Sequence, residues 1–334
     1  MADKSSNRPM AEPGAEPVAA KPVILDTGLS PDSYVAVLLL LQRGDADVRA
    51  VTVSGTGESH PGPGVRNARG LAALAGKPHI PIAGGRPTPL AGNHSFPWVL
   101  RWLMDHRMFL RLPDNPAPLL QQTAVHLITS AIQSSADKVT LISVGGLTNL
   151  AETFLAQPAL VSRVEMLYIM GGAVDAPGNL RDISPLTRNR VAECNMYVDP
   201  HAAALVLDSG VPITLVPLDA TSRNPVTPQF VARLKADRST PAAEFAYQLL
   251  SRFTRLAPKN SFFLWDPMTV TVALDNSLGR FQQRTLRIVE EEGPQNARTL
   301  DDPAGRGVRV CMHLDRERFE QTVLDSLNGR LAST

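Results

Sequence analysis

Cysteine is nearly missing from this chain: Cys194 and Cys311 are the two in 334 residues. Two thiols make neither a disulfide framework nor a zinc pattern, so a reduced, cytoplasmic setting is expected. Charge of one sign is missing too, with 33 basic against 32 acidic residues and a net +1. No global field therefore recruits nucleic acid or a membrane surface, and neither is an expected partner. Long apolar runs are also absent. The longest, Val35 to Leu41, falls far short of the roughly 20 residues that span a bilayer.

Residues 1–21 are rich in Ala, Pro, Glu and Ser and lack the apolar stretch of a signal peptide. They read as a disordered tail. No internal repeat and no later break in composition marks a second domain, so residues 22–330 are expected to form one domain. The first strand–turn–helix carries Asp26-Thr27-Gly28-Leu29-Ser30 and no Gly-x-Gly-x-x-Gly. That removes the phosphate cradle of a dinucleotide-binding oxidoreductase.

What is present begins with Val23 to Tyr34. An apolar run ends in Asp26, crosses a Thr-Gly turn and restarts as a helix, with Ser30 as N-cap, Pro31 in the first position and Asp32 in the first turn. Oxygen side chains crowded where a strand ends and a helix begins suggest a polyol or metal site. Read more plainly, Asp26 satisfies turn amides while Ser30 and Asp32 cap a helix.

Farther along, Asp47 to Ser54 reads as a second strand, followed by a loop through Gly64 too rich in Gly and Pro for regular structure. A helix from Val65 to Gly76 and a short strand at Ile80 to Ala83 come next. Residues 84–118 read as an insertion or flap over the sheet edge, because Trp98 and Trp102 need something to pack against. Strands at 138–144, 164–170 and 213–218 alternate with helices at 121–134 and 201–208. A β-rich excursion at 285–314 and a final helix at 317–327 close the chain. Strand–helix alternation of this kind gives a parallel sheet with crossovers.

Seven short blocks lie along the chain: Ile24-Leu25-Asp26-Thr27, Val65-Arg66-Asn67-Ala68, Gly145-Gly146-Leu147-Thr148-Asn149, Met170-Gly171-Gly172-Ala173-Val174, Ala192-Glu193-Cys194-Asn195, Val198-Asp199-Pro200 and Trp265-Asp266-Pro267. Together, in this order, they resemble the inosine/uridine-preferring nucleoside hydrolase family. Its members cleave the N-glycosidic bond of ribonucleosides with a tightly held Ca²⁺. The resemblance implies a single α/β domain with a mostly parallel central sheet flanked by helices, assembled as a homo-dimer or homo-tetramer. It places Asn179, Glu193 and Asn195 against the ribose hydroxyls of a ribonucleoside or another ribose-containing small molecule, and Met170 in the sugar pocket. Amides and a carboxylate suit vicinal hydroxyls as donors and acceptors together. Asp199-Pro200 reads as a helix start.

The family's Asp-Thr-Asp-x-x-x-Asp-Asp motif is rewritten here. Asp26, Thr27 and Asp32 remain, but Gly28 and Ser33 stand where the family has metal-ligating carboxylates, and position 28 also carries the expected general base. Asp266, the carbonyl of Val144 and Asp32 are left as metal ligands, and Asp32 as the remaining catalytic carboxylate. Ca²⁺ takes six to eight oxygens and its affinity follows ligand charge, so calcium is expected to be weakly bound or absent. Trp265 replaces a histidine that many relatives use to protonate the leaving base. An indole N–H is a donor only, so Trp265 can stack on a base but not protonate it. His60, His94 and His106 lie in loops and read as surface or packed histidines.

Two functions stay open. One is a ribonucleoside hydrolase weakened by the lost carboxylates. The other is a catalytically silent ribose- or nucleoside-binding or structural homologue.

Overall fold

A computed structural model describes residues 20–256 and 261–331. The tail expected at residues 1–21 lies outside these up to residue 19. Lys21 already opens the first strand. Nine strands share one sheet: β1 (Lys21–Thr27), β2 (Ala46–Val53), β3 (Ile82–Gly84), β4 (Val139–Val144), β5 (Val164–Met170), β6 (Ile213–Val216), β7 (Gly279–Ile288), β8 (Thr299–Asp301) and β9 (Arg306–Leu314). Their order is β3-β2-β1-β4-β5-β6-β9-β7-β8. All pairings from β3 across to β9 are parallel, and β7 is antiparallel to both β9 and β8. The expected α/β fold with a mostly parallel sheet is what forms.

The central strands carry no polar alternation, because helices cover both of their faces. Every residue of β4 is buried. One apolar core includes the helices Pro31–Leu41 and Trp265–Leu274; the other includes Ala124–Ser134, Thr148–Ala156 and Pro200–Asp208. The helix Pro31–Leu41 is buried from Asp32 to Leu41. A helix apolar all round in this way belongs inside a layered fold. Each of its fully buried leucines contributes about 1.5–3 kcal/mol of burial.

From β1 the chain runs outward through β2 to β3, then returns to lay β4 on the other side of β1. The carboxyl ends of β1 and β4 therefore flank a topological switch point, where open α/β sheets form their ligand crevice.

Two local expectations are corrected. The helix expected from Val65 begins at Pro61. Pro61 and Pro63 fall in its first turn, where backbone N–H groups have no helical partner, so proline costs nothing there. The flap is ordered around the helix Trp98–Asp105, yet Trp98 and Trp102 are exposed, at 76% and 45%. Phe96, Arg101, Met104, Asp105, Met108 and Leu110 are the flap residues that are buried instead. The guanidinium of Arg101 donates to the carbonyls of Gly55 and Ser59, tying the flap to the β2 loop.

Candidate active site at the β1–β4 switch point

The turn after β1 is held by its own side chains. Thr27 Oγ1 accepts the Leu29 N–H at 3.1 Å, with buried Leu29 at φ +53°. Ser30 and Ser33 form a capping box: Ser30 Oγ accepts from Ser33 N at 3.2 Å, and Ser33 Oγ accepts from Ser30 N at 3.1 Å. Three glycines meet there. A Cβ on Gly57 would lie 2.5 Å from Gly28 Cα, and one on Gly145 would lie 2.4 Å from Gly28 N. Both must stay glycine for the β2 and β4 loops to close on the turn. A Cβ on Gly28 itself would find nothing nearer than 3.5 Å.

A cleft opens over this junction. Asp32, Val144, Met170, Asn179, Glu193, Asn195, Trp265 and Asp266 all line it, so residues scattered over the sequence share one wall. Gly28, Ser30, Glu58, Asp182, Ile183 and Cys194 complete the lining.

The acids are tightly networked. Asp32 Oδ1 accepts the Ser30 hydroxyl at 2.6 Å, and its Oδ2 accepts the backbone N–H of Asp266 at 2.9 Å. Asp266 Oδ2 in turn accepts the hydroxyl of Ser33, and the Ser30 oxygen, whose one proton is shared with Asp32, lies 3.0 Å from it. Burial pushes both carboxyls above the usual carboxylate range, and for Asp266 the neighbouring Asp32 adds to the effect. The Val144 carbonyl accepts the Gly28 N–H at 3.2 Å. Behind the cleft, Asp26 braces the loops by accepting from Thr52 and Asn149 at 2.6 and 2.7 Å, while its Oδ2 is buried without a partner. Burial raises its pKa to about 7.

The polyol-type residues hold one another. Glu193 caps the short helix Cys194–Tyr197, its carboxylate accepting from the amides of Gly172, Asn195 and Met196 at 2.9–3.1 Å. Burial raises its pKa to about 7 despite these bonds. Asn179 Oδ1 accepts the Cys194 N–H, and Asn195 Nδ2 donates to the carbonyl of Met170. The Asn179 amide N–H groups and the Asn195 amide oxygen make no hydrogen bond among the described residues. Trp265 spends its indole N–H on Ser222 Oγ at 3.2 Å and stacks on Phe263. Its role as proton donor is closed in geometry as well as chemistry. The Cys194 thiol is pushed well up by burial and acidic neighbours, so it is no nucleophile.

Asp199 is a helix N-cap, as its proline neighbour suggested. None of His60, His94 and His106 lines the cleft. His94 stacks on Tyr197, and His106 bonds the Trp102 carbonyl. His60 pairs with Asp105 at 2.7 Å and lines a neighbouring cavity that shares Ile183 with the cleft. Glu58, Asp182 and Ile183 are lining residues that the sequence alone did not single out, and Glu58 is the more buried of the two carboxyls. It sits in the loop read as structureless, outside every recognised block.

The sequence pattern described as inosine-uridine preferring nucleoside hydrolase matches residues 23–321. This chain belongs to that family. A pyrimidine-specific ribonucleoside hydrolase of Shewanella woodyi is 31% identical over 320 residues, covering 92% of this chain and 98% of its own. One from Klebsiella pneumoniae is 31% identical over 327 residues, covering 94% and 99%. Among solved structures, a plant nucleoside hydrolase superposes with a TM-score of 0.80 at 24% identity, covering 92% of this chain and 99% of its own. An inosine-uridine preferring nucleoside hydrolase from Bacillus anthracis gives 0.80 at 22%, again over 92% and 99%. At those identities the superpositions speak for the fold, and the nucleoside hydrolase fold is the one this chain adopts. Among the described residues, no helix is long and apolar enough to cross a membrane.

Proposed function

We propose that this chain hydrolyses the N-glycosidic bond of ribonucleosides to ribose and free base, with a metal site weakened by two missing carboxylates. The observation that carries the reading is the single cleft shared by Asn179, Glu193, Asn195, Met170, Trp265, Asp32 and Asp266 at the switch point. In it, Asn179 and Asn195 hold the ribose hydroxyls, with Glu193 fixing both through the backbone it caps. Met170 packs beneath the sugar and Trp265 stacks on the base. Asp32 is the catalytic carboxylate beside the anomeric carbon, where an anion stabilises an oxocarbenium-like transition state.

The donors present do not fit a tightly held Ca²⁺. Six to eight oxygens are needed, and ligand charge sets the affinity. Asp32, Asp266 and Glu58 are the carboxylates that line the cleft near the Val144 carbonyl, and Gly28 contributes no side chain. The Ser33 hydroxyl is turned onto Asp266 Oδ2. Among the described residues no group of three His, Cys, Asp or Glu side chains is disposed to hold a metal. Calcium is accordingly weak or absent in this reading, and no step is derived through it.

Assembly as a homo-dimer or homo-tetramer belongs to the same reading, supported by the exposed apolar strip of Trp98, Val99, Trp102 and Phe109. Exposed apolar patches mark association surfaces. Both cysteines are free and buried, which supports a reduced, cytoplasmic setting.

A second reading, the silent sugar binder, draws on the Ser30–Ser33–Asp266 network, which engages Asp266 Oδ2 and Asp32 Oδ1 with protein hydroxyls. The deciding experiment is ribose release from purine and pyrimidine ribonucleosides, with and without Ca²⁺, by the native protein and by Gly28→Asp/Ser33→Asp. Release by the native protein supports hydrolysis. Release by the double variant alone establishes the silent binder instead.

A further inference from the structure

We propose that Glu58 is the general base of this cleft, taking the proton of the attacking water in place of the carboxylate that Gly28 lacks. The proposal rests on the hydrolase reading above.

Position is the first argument. Glu58 lines the same cleft as Asp32, Asp266, Asn195 and Trp265. The Gly57–Gly28 contact brings it there: a Cβ on Gly28 would lie 3.7 Å from the Glu58 backbone nitrogen. Its side chain thus starts beside the place where a residue-28 carboxylate would have started.

Availability is the second. No group among the described residues hydrogen-bonds to the Glu58 carboxyl, whereas the oxygens of Asp32 and Glu193 and Asp266 Oδ2 are engaged by hydroxyls and amides. Asp182, another unengaged carboxyl of the lining, is exposed at the rim. Glu58 keeps some surface open to the cleft while its carboxyl lies deep among protein atoms.

Its surroundings give it the right basicity. The titratable groups around it are Asp32, Glu193, Asp266 and the Cys194 thiol, and no Lys, Arg or His lines the cleft. Burial first, then the charges of Asp32 and Glu193, push its pKa up to about 8. Raised basicity makes the ionised Glu58 a stronger proton acceptor than an ordinary carboxylate, and the share of molecules that carry it ionised grows as the pH rises toward 8.

In the step, the water O–H bond breaks toward a Glu58 oxygen as the water oxygen bonds to C1′. The C1′–N bond breaks with its electron pair going to the base nitrogen, which takes a proton from solvent. Glu58 then releases its proton to solvent, and one water has been consumed.

The test compares native protein, Glu58→Gln, Glu58→Asp and Glu58→Ala on ribonucleosides, with ribose binding by calorimetry as the check on folding. Glu58→Gln should lose about 10²–10⁴-fold in kcat, the usual worth of a general base, with KM and ribose affinity held. Glu58→Asp should recover part of it. Azide, which needs no base, should restore turnover to Glu58→Ala and yield ribosyl azide. An active native protein matched by Glu58→Gln would overturn this proposal alone. A native protein that releases no ribose would remove the hydrolase reading and this proposal with it.

Discussion

The backbone N–H of Asp266 donates to the carboxylate of Asp32 at 2.9 Å, although 234 residues separate them. Each residue opens a buried helix, and the bond locks the two amino ends together beneath the cleft. Because the Ser30 and Ser33 hydroxyls complete the same network, the acids are held by protein donors. Restoring a metal there means displacing those donors.

The double variant Gly28→Asp/Ser33→Asp should bind Ca²⁺ orders of magnitude more tightly than the native protein, because ligand charge sets affinity. Position 28 has room: its Cβ would sit in ordinary contact, 3.5 Å from Gly57 and Gly145. Calorimetric titration with Ca²⁺ measures it. Equal affinity in the two proteins would show that the lost carboxylates are not what limits the site.

Ser33→Ala should destabilise the fold. It removes the acceptor of the Ser30 N–H and a hydroxyl donor to Asp266. The cost expected for a lost cap and a buried acceptor is about 1–2 kcal/mol. Urea unfolding should show a lower midpoint at unchanged slope; an unshifted midpoint would mean the network is slack.

Asp26 sets a pH dependence of stability. Burial raises its folded pKa to about 7, far above its ordinary value of 3.8. Between these values the folded state holds a proton that the unfolded state has lost, so stability falls as pH rises. Asp26→Asn keeps the acceptor for Thr52 and Asn149 but cannot ionise. Its melting temperature relative to native should therefore be higher at pH 8 than at pH 5. A constant difference across that range would refute the assignment to Asp26.

Trp265→Ala should weaken nucleoside binding by about 1–3 kcal/mol, the worth of one base–aromatic stack, and leave ribose binding nearly unchanged. Calorimetry with a nucleoside and with ribose separates the two. Equal losses for both ligands would place Trp265 against the sugar instead.

Much of the site was legible in the residues themselves. The Ser30-Pro31-Asp32 helix start and the Asp199-Pro200 cap are local chemistry, and both formed as written. The helix at Pro61 was misread because Gly and Pro usually break structure, although Pro61 and Pro63 fall where proline fits. Trp98 and Trp102 misled for a different reason: an aromatic residue favours burial, but exposure is decided by what the fold leaves nearby.

By itself, the sequence determined the strand–helix alternation, the caps and the set of polar residues that meet in the cleft. The alternation and the caps follow from hydrophobic periodicity and hydrogen bonds between residues a few positions apart; the polar set, Glu58 apart, follows from the resemblance of short blocks to the nucleoside hydrolase family. Tertiary structure alone decided that Ser33 satisfies Asp266, that Gly57 and Gly145 close on Gly28, and that Glu58 enters the cleft unpaired. Those relationships depend on β4 returning to the side of β1 opposite β2. Only that strand order carries the distant loops to one place and removes them from water.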